Sequence, residues 1–365
     1  MEHSIGYNSR FPDTVHYHPV EKDTLIYNIG GLLVFENLHD KHKQEFLRGH
    51  DMEISAIAVS NNGRIIATGQ VGTVFQKTPD APIILWAYDT KKPIAVLKGM
   101  QECVNRLSFS PDDRFLAGIG ENNTFIVWDT SDGNPIHTRV TEQPITMLTW
   151  GDIDARPKHP TYTLITGTQT QVNINKLEFD ISSMQYFLRS GICQLPNTGL
   201  VRNYTFAKCK GDLLLAGTSG GEMCVFSVYS SIYRASMPVA SNGIICGALD
   251  GDTMYVGGGD GKVKKVVLTG GQWTLTHEAQ LDSKVMSVNL SISKDELIVG
   301  TKGGQMYRVL TNDLSYILHS DAHTGQINDV AFGPSDSNTF VTIDENGSLK
   351  AWDLSEYKPL FTGSP

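Results

Sequence analysis

A short apolar motif that ends in glycine returns at a nearly constant interval and limits the folds open to this chain. The glycines that close its six copies are Gly69, Gly118, Gly167, Gly217, Gly257 and Gly300. Successive copies lie 49, 49, 50, 40 and 43 residues apart. A period of about 40–45 residues is typical of a four-stranded propeller blade, and the longer intervals leave room for enlarged loops.

Each copy of the motif lies between two other apolar segments. The segment before it alternates apolar and polar residues and ends in a turn, as in residues 106–113, and the segment after it is a second short strand, as in residues 125–129. This pattern predicts repeated units of strand, turn and strand. A four-stranded sheet cannot bury both of its faces alone, so we expect the units to stack radially in an all-β fold.

Three dipeptides in the repeats resemble the signatures of a known family. Trp128-Asp129, Trp352-Asp353 and Gly49-His50 resemble the signatures of WD-repeat proteins. In that family a histidine, a serine or threonine, an acidic turn residue and the tryptophan form a hydrogen-bonded tetrad. The resemblance implies these structural tetrad candidates: His50, Thr68, Asp80, Trp86, His323, Thr342 and Trp352. Most other units lack the acid, so we expect them to depend on apolar packing.

The number of units leaves two ring sizes open. An additional unit occupies residues 15–35 ahead of the others, which brings the total to eight. We expect a WD40-type β-propeller of seven blades over residues 45–365, with residues 1–44 as an N-terminal strand unit that contributes to closure or to a partner blade. An eight-bladed ring is the alternative, because both sizes lie within the range of this architecture.

Charge and composition exclude several classes of partner. The chain has 30 Lys and Arg against 39 Asp and Glu, for a net charge of −9, and no basic run, which argues against nucleic acid. No run approaches the roughly 20 apolar residues of a membrane span, and the N-terminus lacks a secretory signal. The five cysteines follow no metal-binding spacing. We expect an intracellular, unexported protein with reduced thiols.

None of the candidate motifs in the sequence indicates a catalytic site. Residues 257–262 read GGGDGK, but a valine follows where a phosphate loop needs Ser or Thr, so we interpret this segment as a hairpin turn. His16 and His18 alternate on one strand face and could share a metal, although no third ligand is near them in sequence. We therefore expect no catalytic residue, cofactor, metal or small-molecule substrate.

A more specific resemblance covers most of the chain. IGYN at 5–8, FLRGH at 46–50, ATGQV at 67–71 and IILW at 83–86 are similar, in this order, to the start of the cilia- and flagella-associated WD-repeat protein 52 family. Members carry two tandem propellers, whereas the units here suffice for one. The resemblance implies a scaffold of the ciliary axoneme that binds tubulin and neighbouring proteins inside the doublet microtubule and stabilises it. A ubiquitin-ligase substrate receptor and an echinoderm-type microtubule-associated protein are the alternatives.

Two enlarged loops are the predicted protein-interaction sites, because long loops on a rigid scaffold often carry function. The first follows Gly69 and contributes Val71, Phe75 and Lys77. The second lies between residues 151 and 162 and contributes Arg156, Lys158 and His159.

Overall fold

The computed structural model describes residues 3–73, 80–156, 158–195, 202–334, 338–356 and 358–363. Within these ranges every regular element is a β-strand. Each run of four consecutive strands forms one antiparallel sheet in which neighbours in sequence are neighbours in space. Eight such sheets lie within the described ranges, and the prediction of an all-β WD40-type β-propeller is confirmed, whereas the number of blades stays a prediction.

The first four sheets have the following strands. Sheet 1 contains β1 (Val15–Tyr17), β2 (Thr24–Ile29), β3 (Leu32–Asn37) and β4 (Gln44–Arg48). Sheet 2 contains β5 (Ile54–Val59), β6 (Ile65–Gln70), β7 (Ile83–Ala87) and β8 (Lys92–Leu97). Sheet 3 contains β9 (Val104–Phe109), β10 (Phe115–Gly120), β11 (Thr124–Asp129) and β12 (Pro135–Val140). Sheet 4 contains β13 (Met147–Asp154), β14 (Thr161–Gly167), β15 (Val172–Asp180) and β16 (Gln185–Ile192).

The remaining four sheets repeat the plan. Sheet 5 contains β17 (Tyr204–Lys210), β18 (Leu213–Thr218), β19 (Glu222–Ser227) and β20 (Ile232–Pro238). Sheet 6 contains β21 (Ile244–Asp250), β22 (Thr253–Gly258), β23 (Lys262–Thr269) and β24 (Gln272–Gln280). Sheet 7 contains β25 (Val285–Leu290), β26 (Glu296–Thr301), β27 (Met306–Leu310) and β28 (Tyr316–Ser320). Sheet 8 contains β29 (Ile327–Phe332), β30 (Thr339–Asp344), β31 (Leu349–Asp353) and β32 (Lys358–Gly363).

Short turns join many of the consecutive strands within the sheets. The phosphate-loop-like segment 257–262 is such a turn, because β22 ends at Gly258 and β23 begins at Lys262. Gly261 has a φ of +77°, a left-handed conformation that glycine adopts without steric cost. The prediction of a hairpin turn at this position is confirmed.

Seven apolar clusters join sheets 1 to 7 into a ring. Each cluster combines buried side chains of two sheets, and together they connect sheet 1 to 2, 2 to 3, and so on through 6 to 7. The seventh cluster combines Val15 and Leu25 of sheet 1 with Ile298 and Met306 of sheet 7. Within the described ranges, therefore, each of these seven sheets packs against two neighbours.

Hydrogen bonds of the N-terminal segment reinforce the contact between sheets 1 and 7. The Tyr7 hydroxyl donates to the Thr301 carbonyl oxygen at 2.5 Å, and the Asp13 amide donates to Met286 O at 2.9 Å. The Tyr17 amide donates to Asn289 Oδ1 at 2.8 Å. The beginning of the chain thus closes the ring on a sheet more than 250 residues away in sequence.

Sheet 8 packs differently from the other seven sheets. No described residue of β29–β32 belongs to the seven clusters, and β29 is exposed along its whole length, whereas five of the six residues of β5 are buried. Residue 45, the expected start of the propeller, lies inside β4, and sheet 1 sits between sheets 2 and 7. The apolar face of sheet 1 thus packs on that of sheet 7, and the division of the chain into residues 1–44 and 45–365 stays a prediction.

Candidate functional site

The hydroxyl of Thr68 is the centre of a buried hydrogen-bonded network in sheet 2. The indole N–H of Trp86 donates to Thr68 Oγ1 at 2.7 Å, and His50 Nε2 lies 2.6 Å from the same oxygen. His50 Nδ1 lies 2.7 Å from Gln70 Oε1, while Gln70 Nε2 donates to Asp51. Because a carbonyl oxygen only accepts, His50 carries its proton on Nδ1 and receives the Thr68 proton on Nε2.

Burial controls the charge of this histidine. It lowers the pKa of His50 below 6.5, against the opposing effects of the Gln70 oxygen and the Asp51 carboxylate. The neutral ring is the form that can donate at one nitrogen and accept at the other. The network is therefore a structural brace between the end of sheet 1 and the middle of sheet 2.

Sheet 8 contains an equivalent network, in which the fourth residue is an acid. The Trp352 indole donates to Thr342 Oγ1 at 2.7 Å, and His323 Nε2 lies 2.6 Å from that oxygen. His323 Nδ1 lies 3.0 Å from Asp344 Oδ2. Burial opposes ionisation of Asp344, but the amide of Ser348 and the His323 ring together bring its pKa below the ordinary value.

Sequence reasoning missed the fourth member of both networks. Asp80 was the candidate acid, but the structure places it in an isolated bridge with Gln101 and gives its position beside His50 to Gln70. In both sheets the fourth residue lies two positions after the threonine, at Gln70 and at Asp344. Alternate residues of a strand share a face, so this spacing was the available signal.

Sheet 3 shows what happens to the brace where the threonine is missing. Gly118 occupies the register position of Thr68, opposite the strand of Trp128. The Trp128 indole nitrogen is buried without a hydrogen-bond partner. A Cβ at Gly118 would lie 2.9 Å from the Trp128 ring, so a threonine would not fit there. Apolar packing alone holds this tryptophan, as expected for the units without a tetrad.

The first enlarged loop is anchored at its two ends, by a bridge of Val71 and by a bridge of Asp80. Val71 forms an antiparallel bridge with Cys103, and its amide donates to Glu53 O at 2.9 Å. Its backbone is thus already engaged by neighbouring strands, although its side chain is half-buried. Phe75 and Lys77, the other two candidates in this loop, lie outside the described residues.

The second enlarged loop presents its basic side chains to solvent. Arg156 is 90% exposed and makes a two-point ion pair with Asp154, with contacts of 2.8 and 2.7 Å. Lys158 is exposed, and His159 packs on the ring of Phe179 with centroids 4.7 Å apart. All three candidates lie in the connection between β13 and β14, and only His159 is partly covered.

His16 in β1 and His18, directly after this strand, both have structural partners. His16 Nε2 lies 2.8 Å from Asp13 O, and its Nδ1 lies 3.4 Å from the Asn289 amide. His18 Nε2 lies 2.8 Å from Gly63 O. Among the residues that the structure describes, no group of three or more His, Cys, Asp or Glu side chains is arranged to hold a metal ion.

The cysteines are free thiols. Burial raises the pKa of Cys193 and of Cys224 to about 11 and that of Cys209 to about 12. Burial also raises the pKa of Cys103 and of Cys246. These five side chains stay protonated at neutral pH, which is the unreactive form of the group.

A channel runs through the ring along its axis, because the first strands of the sheets face one another there. It contains two adjoining cavities of about 360 and 400 Å³, which share Pro12, Asn105 and Arg106 in their walls. The charged residues of the lining are Arg106, Lys208 and Lys284 with the single carboxylate of Asp13, counted over the described part of the chain. The channel is thus basic in a protein of net charge −9.

Family profiles match parts of the chain. The profile described as "WD domain, G-beta repeat" matches residues 41–73 and 314–353. The profile described as "Anaphase-promoting complex subunit 4 WD40 domain" matches residues 84–153. No helix within the described ranges has the length and apolar character to cross a membrane.

Relatives match the chain almost from end to end. It is 26% identical over 382 residues to "Cilia- and flagella-associated protein 52" of Chlamydomonas reinhardtii and 24% identical over 371 residues to the Homo sapiens protein of the same name. Each match covers 98% of this chain and 56% of the relative, so the chain spans little more than half the length of these relatives. It is also 24% identical over 367 residues to "WD repeat-containing protein 90" of Homo sapiens, covering 96% of this chain and 20% of that protein.

A solved structure has the same fold. The β-propeller domain of Myceliophteria thermophila Cps50 (Swd1) superposes with a TM-score of 0.61 at 17% identity, covering 82% of this chain and 96% of that chain. Sheet topology, tetrad geometry and these likenesses agree. The chain is a WD-repeat β-propeller whose sequence is similar, over almost its whole length, to cilia- and flagella-associated protein 52.

Proposed function

We propose that this chain is a non-catalytic protein-interaction scaffold of cilia or flagella. The observation that carries the proposal is the match over 98% of the chain to relatives named as cilia- and flagella-associated proteins. The braced, apolar interfaces of the ring support it, since a rigid ring offers fixed surfaces to several partners. Fold alone does not name a function, so the ciliary assignment depends on the relatives.

The finer proposal is a microtubule inner protein that binds tubulin in the axonemal doublet and stabilises it. A tagged chain expressed in a ciliated cell tests both levels. Retention in axonemes after a salt wash is expected, because proteins enclosed in the doublet do not exchange with the medium. A chain that stays in the cytoplasm contradicts the ciliary proposal, and a ciliary chain released by salt contradicts the inner-protein proposal.

The second enlarged loop offers a contact site for such a partner. Arg156 and Lys158 are exposed cations at its tip, and Asp154 holds the Arg156 guanidinium in a fixed orientation. Arg156→Ala with Lys158→Ala should reduce axonemal retention, and the same substitution of exposed Arg189 on β16 is the control. The first loop is tested in the same way with Phe75→Ala and Lys77→Ala. Unchanged retention of the loop variants contradicts a role for these residues.

We further propose that the platform consists of sheets 1 to 7 and that sheet 8 is a separate unit. The closing cluster between sheets 1 and 7 supports this division, as does the exposed β29. Sheet 8 leaves large apolar side chains in solvent, with Phe332 at 72% and Phe361 at 59% exposure. Exposed apolar groups of this size are unusual on a finished surface and indicate a face that normally has a neighbour.

A further inference from the structure

The axial channel combines positive charge with unused hydrogen-bond donors. Lys208 on β17 is half-buried, and its ammonium lies 5.8 Å from the centroid of the Phe206 ring. It makes no hydrogen bond or ion pair with any residue in the described part of the chain. A partly buried cation that makes no direct ion pair is poorly compensated, so an anionic partner at this place in the wall would stabilise it.

Arg106 lies between the two cavities and is held in place. Its Nη2 donates to the Thr205 carbonyl oxygen at 3.2 Å, which fixes the guanidinium while its other N–H groups remain available. A guanidinium of fixed orientation is well suited to a carboxylate, because two parallel N–H groups match two oxygens. Lys284 adds a third cation in the second cavity.

The neighbouring groups do not cancel this charge. Asp13 is the single acid of the lining within the described residues, against three cations. Burial lowers the pKa of His16. Both of its ring nitrogens are engaged, by Asp13 O and by Asn289, so this histidine is neutral and fixed.

The N-terminal segment forms one wall of the channel. Arg10 forms an ion pair of 2.8 Å with Glu53 on the sheet 2 side, and the Asp13 amide donates to Met286 O on the sheet 7 side. Pro12 lies between these two anchors and lines both cavities. A wall held at both ends loses little entropy when a ligand binds.

We propose that the axial channel binds an extended acidic peptide segment of a partner protein, with Lys208 and Arg106 as its carboxylate contacts. Cavities of 360 and 400 Å³ admit a few side chains but not a folded domain. The charge of the channel is opposite to that of the protein as a whole, so an acidic segment is drawn to the channel and repelled by the rest of the surface. This inference rests on the proposed function in that it supplies the scaffold with a partner.

Fluorescence anisotropy of fluorescein-labelled octaglutamate with the purified full chain tests the proposal. We expect binding that weakens as salt is raised, and no binding of labelled octaglutamine. Lys208→Met keeps the length of the side chain and removes its charge, and should weaken binding about tenfold or more. Lys210→Met, two residues further along β17 and exposed, lines neither cavity and should change binding less than about twofold.

Each other outcome overturns the proposal. Equal loss in both lysine variants means that the peptide is attracted by diffuse charge, and no loss in Lys208→Met means that it binds elsewhere. Displacement by inorganic phosphate at the same total charge means that the site takes a free anion instead of a peptide. The assay uses purified protein, so its failure leaves the ciliary proposal standing, and failure of axonemal retention leaves peptide binding standing. Thermal melting of each variant verifies that it is folded.

Discussion

At the scale of single residues, one threonine hydroxyl joins a tryptophan of its own sheet to a histidine in the connection that precedes the sheet. Thr68 Oγ1 accepts from Trp86 and contacts His50, and Thr342 Oγ1 does the same for Trp352 and His323. Both tryptophans are buried, so their indole N–H groups have no water to bond with. The hydroxyl therefore matters more than the small volume of the side chain suggests.

Thr68→Val should lower the free energy of unfolding by about 1–3 kcal/mol, because valine has the same shape and leaves the Trp86 N–H without an acceptor. Chemical denaturation followed by tryptophan fluorescence measures the change. Thr276→Val, at an exposed threonine of β24, is the control and should stay within about 0.5 kcal/mol of the parent. Equal stability of the two variants would show that the brace contributes nothing.

Most, but not all, of the partners in these two networks could be predicted from the sequence. His50, Thr68 and Trp86 were predictable because the family signature fixes their order, and the structure brings them together. Gln70 and Asp344 were not, because the search was for an acid in the turn before the tryptophan. The two strands place the fourth partner beside the threonine, where either an amide or a carboxylate accepts from the histidine.

At the scale of elements, a buried polar network supports the contact between sheets 1 and 7. Glu36 of β3 accepts from the Tyr27 hydroxyl at 2.6 Å and from Gln44 Nε2 at 2.7 Å, and its other oxygen lies 2.8 Å from His319 Nε2 of β28. The side chains of Glu36 and His319 are 5% and 3% exposed. Burial opposes ionisation of Glu36, but His319 and the other donors bring its pKa below the usual value.

His319→Ala should destabilise the protein by about 3–5 kcal/mol, because it leaves a buried carboxylate without its main partner. Glu36→Gln in the same chain should recover part of the loss, since the neutral amide needs no counter-charge. His39→Ala, at an exposed histidine that pairs with Asp23, is the matched control and should have little effect. Additive effects of the two substitutions at Glu36 and His319 in a double-mutant cycle would contradict coupling between them.

No sequence pattern predicted the contact between Glu36 and His319. Glu36 and His319 are 283 residues apart, and neither stands in a motif. The repeat period predicted eight similar units, but it carries no information on which unit the last blade of a ring packs against. That choice depends on the fit of apolar faces, such as Tyr17 and Val34 of sheet 1 against Met306 of sheet 7.

At the scale of the whole molecule, buried neutral histidines make stability depend on pH. Burial lowers the pKa of His16, His18, His50 and His137 in the folded chain. The unfolded chain, with its ordinary value of 6.5, then binds more protons than the folded chain below that pH. Stability is therefore fully present above about pH 7 and is lost as the pH falls.

We expect the melting temperature to decrease between pH 7.5 and pH 5.5, as measured by circular dichroism at constant ionic strength. His50→Gln removes one of the responsible groups and should flatten this dependence. His277→Gln, at an exposed histidine of β24, is the matched control. A melting temperature that rises toward pH 5.5 would contradict the assignment of these histidines as buried and neutral.

Two truncated chains test the proposal that the ring and sheet 8 are separate units. The seven interfaces lie within residues 7–314, so a chain without residues 327–365 keeps every one of them. We expect it to melt within about 2–4 °C of the parent. A chain without residues 1–44 loses β1, β2 and β3 of sheet 1 and exposes the apolar faces of sheets 2 and 7, although it keeps the same tetrads at Thr68 and Thr342.

That second chain should lose its cooperative transition or aggregate, because sheet 8 would have to replace sheet 1 as the neighbour of sheet 7. Its first strand lacks the complementary fit, since Val15 and Tyr17 of β1 are buried against sheet 7 while β29 lies in solvent. Circular dichroism and sedimentation of both chains measure the outcome. If removal of residues 1–44 were tolerated and removal of residues 327–365 were not, sheet 8 would belong to the ring and sheet 1 would be the adjunct.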